Sequence, residues 1–346
     1  MRWNDLYIAG VGTYLPEQVE TVDEAIAAGR YTEEKKAMNG YRELRIAAPG
    51  ETGPVMAAIA GRQAVERSRL SHDEFGLTVH ASLSHQGLDL WTPASYVQAN
   101  TVGGTGPAFE VRQGCNGFLA GVDLAAAYVG SHKDFSAALV TAGDAFHLPY
   151  IDRWSSEDQN VNGDGAGALV LSNRSGFARV RAIYSYADSS LEQMSRGYQE
   201  WTVSPFEGGE TLQLNRSMED YLQNADVDLD EMVGKIAGGV QHSLKQVLHE
   251  AEIVLSDARF FLHQQLAETI VTHGICGLLG VKRESTAYDW AKQYSMVGTA
   301  DLALGLDHVL ADRDPKPGDF VVMQSSGAGY VWTAAVVEIL ERPSWI

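Results

Sequence analysis

Cys115 is one of two cysteines in a chain of 346 residues, and it stands in Arg112-Gln113-Gly114-Cys115-Asn116-Gly117-Phe118-Leu119. A thiolate is a strong nucleophile towards thioesters, so a cysteine placed to ionise can carry an acyl group. Gly114 and Gly117 permit a tight turn and close approach of a substrate. His263 is the second candidate, a base or donor, followed by Gln264 and Gln265. Asp301 is the third, and reads either as an N-capping aspartate or as a carboxylate that orients His263. The three types together suit attack, proton transfer and orientation. Each also has a plain structural reading: a buried small hydrophobe for Cys115 and polar helix caps for the other two.

The surrounding pattern says what must position them. Ala108-Phe109-Glu110-Val111 reads as a strand, and Phe118, Leu119, Val122, Ala125, Ala126 and Val129 recur with the spacing of one helix face. Cys115 therefore sits where a strand turns into a buried helix. A helix start favours an anion, which predicts a thiol lowered from ~8.5 into the range ~3.5–7.5. Ala258-Arg259-Phe260-Phe261-Leu262 is a strand, and His263 is expected to open the helix after it, where the dipole keeps an imidazole neutral. Asp301 precedes an apolar helix through Leu302, Leu306 and Leu310.

Strands are further expected at 6–12, 77–82, 135–143, 168–171, 320–323 and 333–339, with helices at 54–70, from 93, and around 240–251. Residues 22–45 read as polar and helical. Residues 187–225, rich in Ser, Gln, Glu and Gly, read as a long excursion lining or covering a site. Alternating strands and helices make the chain α/β. Strand, Gly-Ala-Gly turn, strand occurs at 165–167 and again at 327–329, which suggests two duplicated halves with the site between them.

Composition narrows the function. Two cysteines exclude a disulfide framework and a cysteine-based zinc cluster. A net charge of −19 argues against nucleic acid and anionic membrane surfaces. No apolar run is long enough to span a membrane, and the first residues lack a signal-peptide core, so a cytoplasmic location is expected. Gly163-x-Gly165-x-x-Ala168 fails as a dinucleotide fingerprint because a polar loop precedes it and a strand follows. No bound cofactor and no metal are expected.

Taken in order, Gly40-Tyr41-Arg42-Glu43-Leu44-Arg45-Ile46-Ala47, Pro107-Ala108-Phe109-Glu110-Val111, Gly114-Cys115-Asn116-Gly117-Phe118, Gly163-Asp164-Gly165-Ala166-Gly167-Ala168, His263-Gln264 and Gly327-Ala328-Gly329-Tyr330-Val331-Trp332 resemble 3-oxoacyl-carrier-protein synthase III, the ketosynthase III family of the thiolase superfamily. The resemblance covers nearly the whole chain. It implies a five-layered αβαβα fold, a homodimer, an N-terminal half at 1–174 with the nucleophile, and a C-terminal half at 175–346 with His263, Asp301 and the glycine loop. It implies that Cys115 is acylated from coenzyme A or an acyl carrier protein. The oxyanion would be held by the backbone N–H groups of Cys115 and Ala328, with Gly114, Asn116, Gln264, Gly327 and Gly329 in support.

The departures shape the expected activity. The family's catalytic asparagine falls at Tyr294, Ser295 or Met296, and its carrier-protein arginine at Glu268, where an acidic chain would repel an acidic carrier. Cysteine and histidine without that asparagine lack the pair that stabilises a thioester enolate. The Cys-His-Asp pattern looks like the CerJ-type acyltransferases of antibiotic biosynthesis. The expectation is therefore transfer of an acyl group, malonyl-type among the options, through acyl-Cys115 to a hydroxyl on a sugar or polyketide. The alternatives are a decarboxylating condensing enzyme and a non-catalytic subunit on the same fold.

Overall fold

The computed structural model describes the whole chain except residues 205, 206, 208, 226 and 227. Its strands are β1 (Tyr7–Tyr14), β2 (Gln18–Thr21), β3 (Glu43–Ile46), β4 (Phe75–Ala81), β5 (Ala108–Val111), β6 (Ala137–Asp144), β7 (Gly165–Ser172), β8 (Ala178–Ala187), β9 (Ala258–His263), β10 (Phe320–Gly327) and β11 (Val331–Ile339). Nine of these form one sheet in the order β5-β4-β6-β7-β1-β8-β11-β10-β9. β4 runs parallel to β5 and β6, and β10 runs parallel to β9; the other neighbours are antiparallel. β1 meets β8 only through Tyr7↔Arg179 and Ile8↔Ala178. The sheet thus falls into two sets of strands, β5-β4-β6-β7-β1 and β8-β11-β10-β9. Every residue of β4, β6 and β7 is buried, which explains why these strands are mostly small and apolar with no alternation of polar residues.

The helices are α1 (Val22–Ala27), α2 (Glu33–Asn39), α3 (Gly53–Ser68), α4 (Pro93–Ala99), α5 (Gly117–Ser131), α6 (Gln193–Arg196), α7 (Leu214–Asn224), α8 (Leu229–Ala251), α9 (Glu268–Ile270), α10 (Tyr288–Ala291) and α11 (Asp301–Asp312). α3 and α4 cover the outer face of the first strand set, packing Met56, Ala60, Ala64 and Val97 against Leu139 and Val170. α3 lies so close that a Cβ on Gly12 would come within 2.0 Å of the Ala60 carbonyl oxygen. α5 and α11 fill the middle, where Phe118, Val122, Leu302 and Leu306 share one core with strands of both sets. α8 covers the outer face of the second set through Leu244, Val247 and Ala251 against Val322 and Val336. Three helical layers and two sheet layers give the expected αβαβα stack.

Several local expectations change. Residues 22–45 are not continuously helical: Gly40, at φ +75°, ends α2, and Glu43–Ile46 pairs with Gln18–Thr21 as a two-stranded sheet. Gly165-Ala166-Gly167 lies inside β7 rather than in a turn, whereas Gly327 ends β10 and Gly329 turns the chain at φ +84°. The two Gly-Ala-Gly runs are therefore not structural equivalents. α8 begins eleven residues before Val240, where the apolar spacing starts. The 187–225 stretch contains α6 and α7, two helices that the expectation of an irregular excursion did not include. Among the described residues no helix is long and apolar enough to cross a membrane.

Candidate active site

Cys115 follows β5 and precedes α5, as its sequence setting requires. Gly114 has φ +54°, and a Cβ there would lie 2.5 Å from the Ala328 nitrogen. A Cβ on Gly327 would lie 2.0 Å from the Gln113 carbonyl oxygen. Only glycine at these two positions lets the 113–116 turn and the 327–329 loop meet, and their meeting sets the Ala328 N–H beside the cysteine turn. Ser325 Oγ lies 3.2 Å from the Cys115 carbonyl oxygen, Asn116 Nδ2 donates to Thr333 Oγ1 at 3.0 Å, and Gly329 N–H donates to Ser195 Oγ at 2.9 Å. The expected depression of the thiol pKa is overturned. Burial pushes it well up, and the carboxylates of Glu157, Asp301 and Asp144 push the same way; its own backbone N–H works in the opposite direction. The thiol is therefore neutral in the free protein and needs a base at the moment of attack.

His263 is the last residue of β9, not the first of a helix; α9 starts only at Glu268. Its imidazole is lowered to about 4 by burial, partly offset by a hydrogen bond with the Gln264 carbonyl, so the helix-dipole argument is replaced by desolvation. Nδ1 sits 2.6 Å from that carbonyl oxygen. A carbonyl can only accept, so Nδ1 carries the proton and Nε2 carries the lone pair. Nε2 is buried without a protein partner. Gln264 braces this segment: its Oε1 accepts from Ser325 Oγ and from Ser326 N–H, each at 2.8 Å.

Asp301 does not bond His263. Its Oδ2 accepts the Gln265 N–H at 2.8 Å and its Oδ1 accepts the Val297 N–H at 2.9 Å. It is also no helix cap, since α11 has no side-chain capping bond. The expected direct orientation is corrected to an indirect one: the carboxylate ties the turn after His263 to the 294–297 segment. Burial raises Asp301 to about 7 despite the two backbone N–H bonds. Of the three candidates for the asparagine position, Met296 reaches the site, with its sulfur 4.0 Å from Cys115 Sγ. Tyr294 packs edge-on against Trp290, and Ser295 Oγ donates to the Glu43 carbonyl at 2.8 Å.

Cys115, His263, Met296 and Ala328 line one cavity of about 1440 Å³. One part of its wall is apolar, with Leu212, Leu214 and Met218 from the 187–225 stretch facing Val233, Ile236 and Val240 of α8. Another part is polar: Glu157, Asn160 and Asn162, from the loop before β7. Sequence reasoning missed these three. Their signal was a polar run, 155–162, leading straight into a fully buried strand. Among the described residues the only lysine or arginine in the lining is Arg112, an exposed side chain that donates to the Leu83 carbonyl at 3.1 Å. Glu268 lies outside this lining, paired with Arg283 and with Lys292 at 2.5 Å, which hold it down near about 2. Those two cations offset the charges of Glu268 and Asp289 within this cluster.

This geometry has known relatives. The family model described as 3-oxoacyl-[acyl-carrier-protein] synthase III matches residues 109–189, and its C-terminal counterpart matches residues 248–339, together half of the chain. The chain belongs to this ketosynthase III-like family, with a thiolase-type fold. A β-ketoacyl-[acyl-carrier-protein] synthase III of Hyphomonas neptunium is 26% identical over 339 residues, covering 96% of this chain and 98% of its own. The solved structure of ChlB3, an acyltransferase, superposes with a TM-score of 0.92 at 29% identity over 99% of this chain and 100% of that one. The structure of 3-oxoacyl-[acyl-carrier-protein] synthase III from Aquifex aeolicus has a TM-score of 0.78 at 22% identity, over 96% and 99%, and supports the fold alone.

Proposed function

We propose that the chain is an acyltransferase that takes an acyl group from a coenzyme A or carrier-protein thioester onto Cys115 and passes it to a hydroxyl of a natural-product acceptor. The observation that carries this reading is Met296, whose thioether stands 4.0 Å from the Cys115 sulfur. A thioether offers no donor to a developing enolate, so the site is poorly furnished for decarboxylative condensation. Acyl transfer needs only a base and an oxyanion site.

In the first half-reaction His263 Nε2 takes the Cys115 proton as the sulfur attacks the thioester carbonyl. The Cys115 and Ala328 N–H groups receive the oxyanion. The carbon–sulfur bond to the donor breaks, and the departing thiolate takes the proton from His263. The acceptor hydroxyl then gives its proton to His263 and attacks the acyl carbon; the carbon–sulfur bond to Cys115 breaks, and the thiolate takes that proton back from His263. In this reading the nucleophile belongs to an N-terminal half, 1–174, and the histidine, Asp301 and glycine loop to a second half, 175–346; the enzyme works as a homodimer in an antibiotic or polyketide pathway.

The names of the curated relatives, β-ketoacyl synthases, favour condensation as a second reading. Carboxyl-labelled malonyl thioester separates the two. Ester formation from an acyl donor without release of the label supports transfer, and release of labelled carbon dioxide with a β-keto product defeats it. Intact-mass measurement tests the covalent step: an adduct that persists in Cys115→Ala places the acyl group elsewhere.

A further inference from the structure

The polar wall beside the nucleophile is a built feature. Tyr41 OH donates to Asn160 Oδ1 at 3.1 Å, and Asn160 Nδ2 donates to Glu157 Oε1 at 2.6 Å. This chain spends both functions of the Asn160 amide and anchors Glu157 through one oxygen only. Asn162 is 1% exposed, and its Nδ2 is buried with no partner. A buried amide left unpaired is costly, so a ligand atom that pairs it is selected over one that does not. Both residues belong to the wall of the reacting sulfur. The Asn162 backbone bridges Met296, which touches the Cys115 sulfur, and Glu157 lines the same cavity as that sulfur.

The same surroundings argue against a carboxylate on the acyl chain. The carboxyl groups of Glu157 and Asp301 near Cys115 are both held above their ordinary range by burial, so these surroundings already disfavour an anion. Arg112 is the only fixed cation in the described lining, and it is exposed. A malonyl-type group would bury an anion there without a partner.

We propose that the acyl group loaded onto Cys115 is uncharged and bears a hydroxyl, which donates to the Glu157 carboxyl and accepts from the Asn162 amide. This rests on the acyl-enzyme reading and narrows its donor to a hydroxyacyl thioester.

The test is the first half-reaction, followed by intact mass without any acceptor. Two matched pairs of donors are used, 3-hydroxybutyryl-CoA with butyryl-CoA and 3-hydroxyoctanoyl-CoA with octanoyl-CoA, with malonyl-CoA alongside. In at least one pair the hydroxylated donor should label Cys115 more than about 10-fold faster than its isostere, and malonyl-CoA should be slowest; a factor of ten corresponds to about 1.4 kcal/mol. Asn162→Leu and Glu157→Ala should bring that ratio close to one, and Glu157→Gln should restore part of it. A ratio within one protein preparation is insensitive to partial misfolding. Equal or reversed labelling in both pairs, or malonyl-CoA as the fastest donor, overturns the inference while leaving the acyl-enzyme intact. Labelling by none of the five overturns both.

Discussion

Asp301→Asn separates two ways in which a carboxylate can serve a histidine. Asp301 has two acceptor oxygens and both are used, one by the Gln265 N–H and one by the Val297 N–H. Asparagine keeps one acceptor and turns the other position into a donor, so one buried backbone N–H must face an NH2 group. Leaving such a group unpaired costs about 1–3 kcal/mol. At ~2.1 cal/mol/K of unfolding entropy per residue, this lowers the Tm by roughly 1.5–4 °C for a chain of 346 residues. The same energy, felt at the site through the 263–265 turn, converts to about 5- to 150-fold in rate. Both half-reactions should slow, because His263 serves both. The assay pairs thermal unfolding with acylation followed by mass and with acyl transfer under single turnover. A side chain bonded directly to the imidazole behaves differently: such an exchange traps the wrong tautomer and costs about 10⁴-fold with little structural damage. A 10⁴-fold loss at unchanged Tm would refute the indirect role of Asp301.

Further outcomes follow from the same geometry. Because burial holds the His263 imidazole at about 4, Cys115 acylation by Asp301→Asn, which lacks the carboxyl raised to about 7, should be flat from pH 8 down to about 5; a midpoint near 6.5 in that variant contradicts the desolvated base. In stability, a histidine with its folded pKa lowered favours the folded state at higher pH, and this contribution disappears as pH falls from about 6.5 through about 4. Asp301, raised to about 7, has the opposite sign: its contribution is complete below about 4 and is lost as pH rises through 7, so Asp301→Asn should flatten that part of the stability profile measured by denaturant titration. Gly114→Ala should slow acylation by about 10²–10³-fold, the usual loss of one oxyanion donor, because its Cβ would strike the Ala328 nitrogen at 2.5 Å. Wild-type acylation rates in Gly114→Ala would show that Ala328 holds no oxyanion.

Much of the framework was legible because it is local. β5 lies at the four residues its pattern marked, β4 and β6 are within two residues of theirs, and the buried face of α5 is the one its spacing describes. The long apolar strands carry no alternation because both faces are covered, and they still read as strands by length and composition. α7 does carry an apolar stripe, Leu214, Met218, Tyr221 and Leu222 at the spacing of one helix face, but the stripe has only four residues and lies in a stretch otherwise rich in Ser, Gln, Glu and Gly, which reads as irregular.

The nucleophile turn shows where sequence stops. Gly114, Cys115, Gly117 and the apolar face behind them state that a cysteine stands between a strand and a helix. Its protonation is decided elsewhere, by burial and by three carboxylates at positions 144, 157 and 301. His263 likewise gets its neutrality from desolvation and its tautomer from a carbonyl beside it, not from a helix end. Asp301 reaches Gln265, 36 residues away, only because α11 and β9 meet in the central core. Periodicity and turn chemistry act over a few residues and are written in the chain. Burial and the electric field at a site are sums over groups that only tertiary packing brings together.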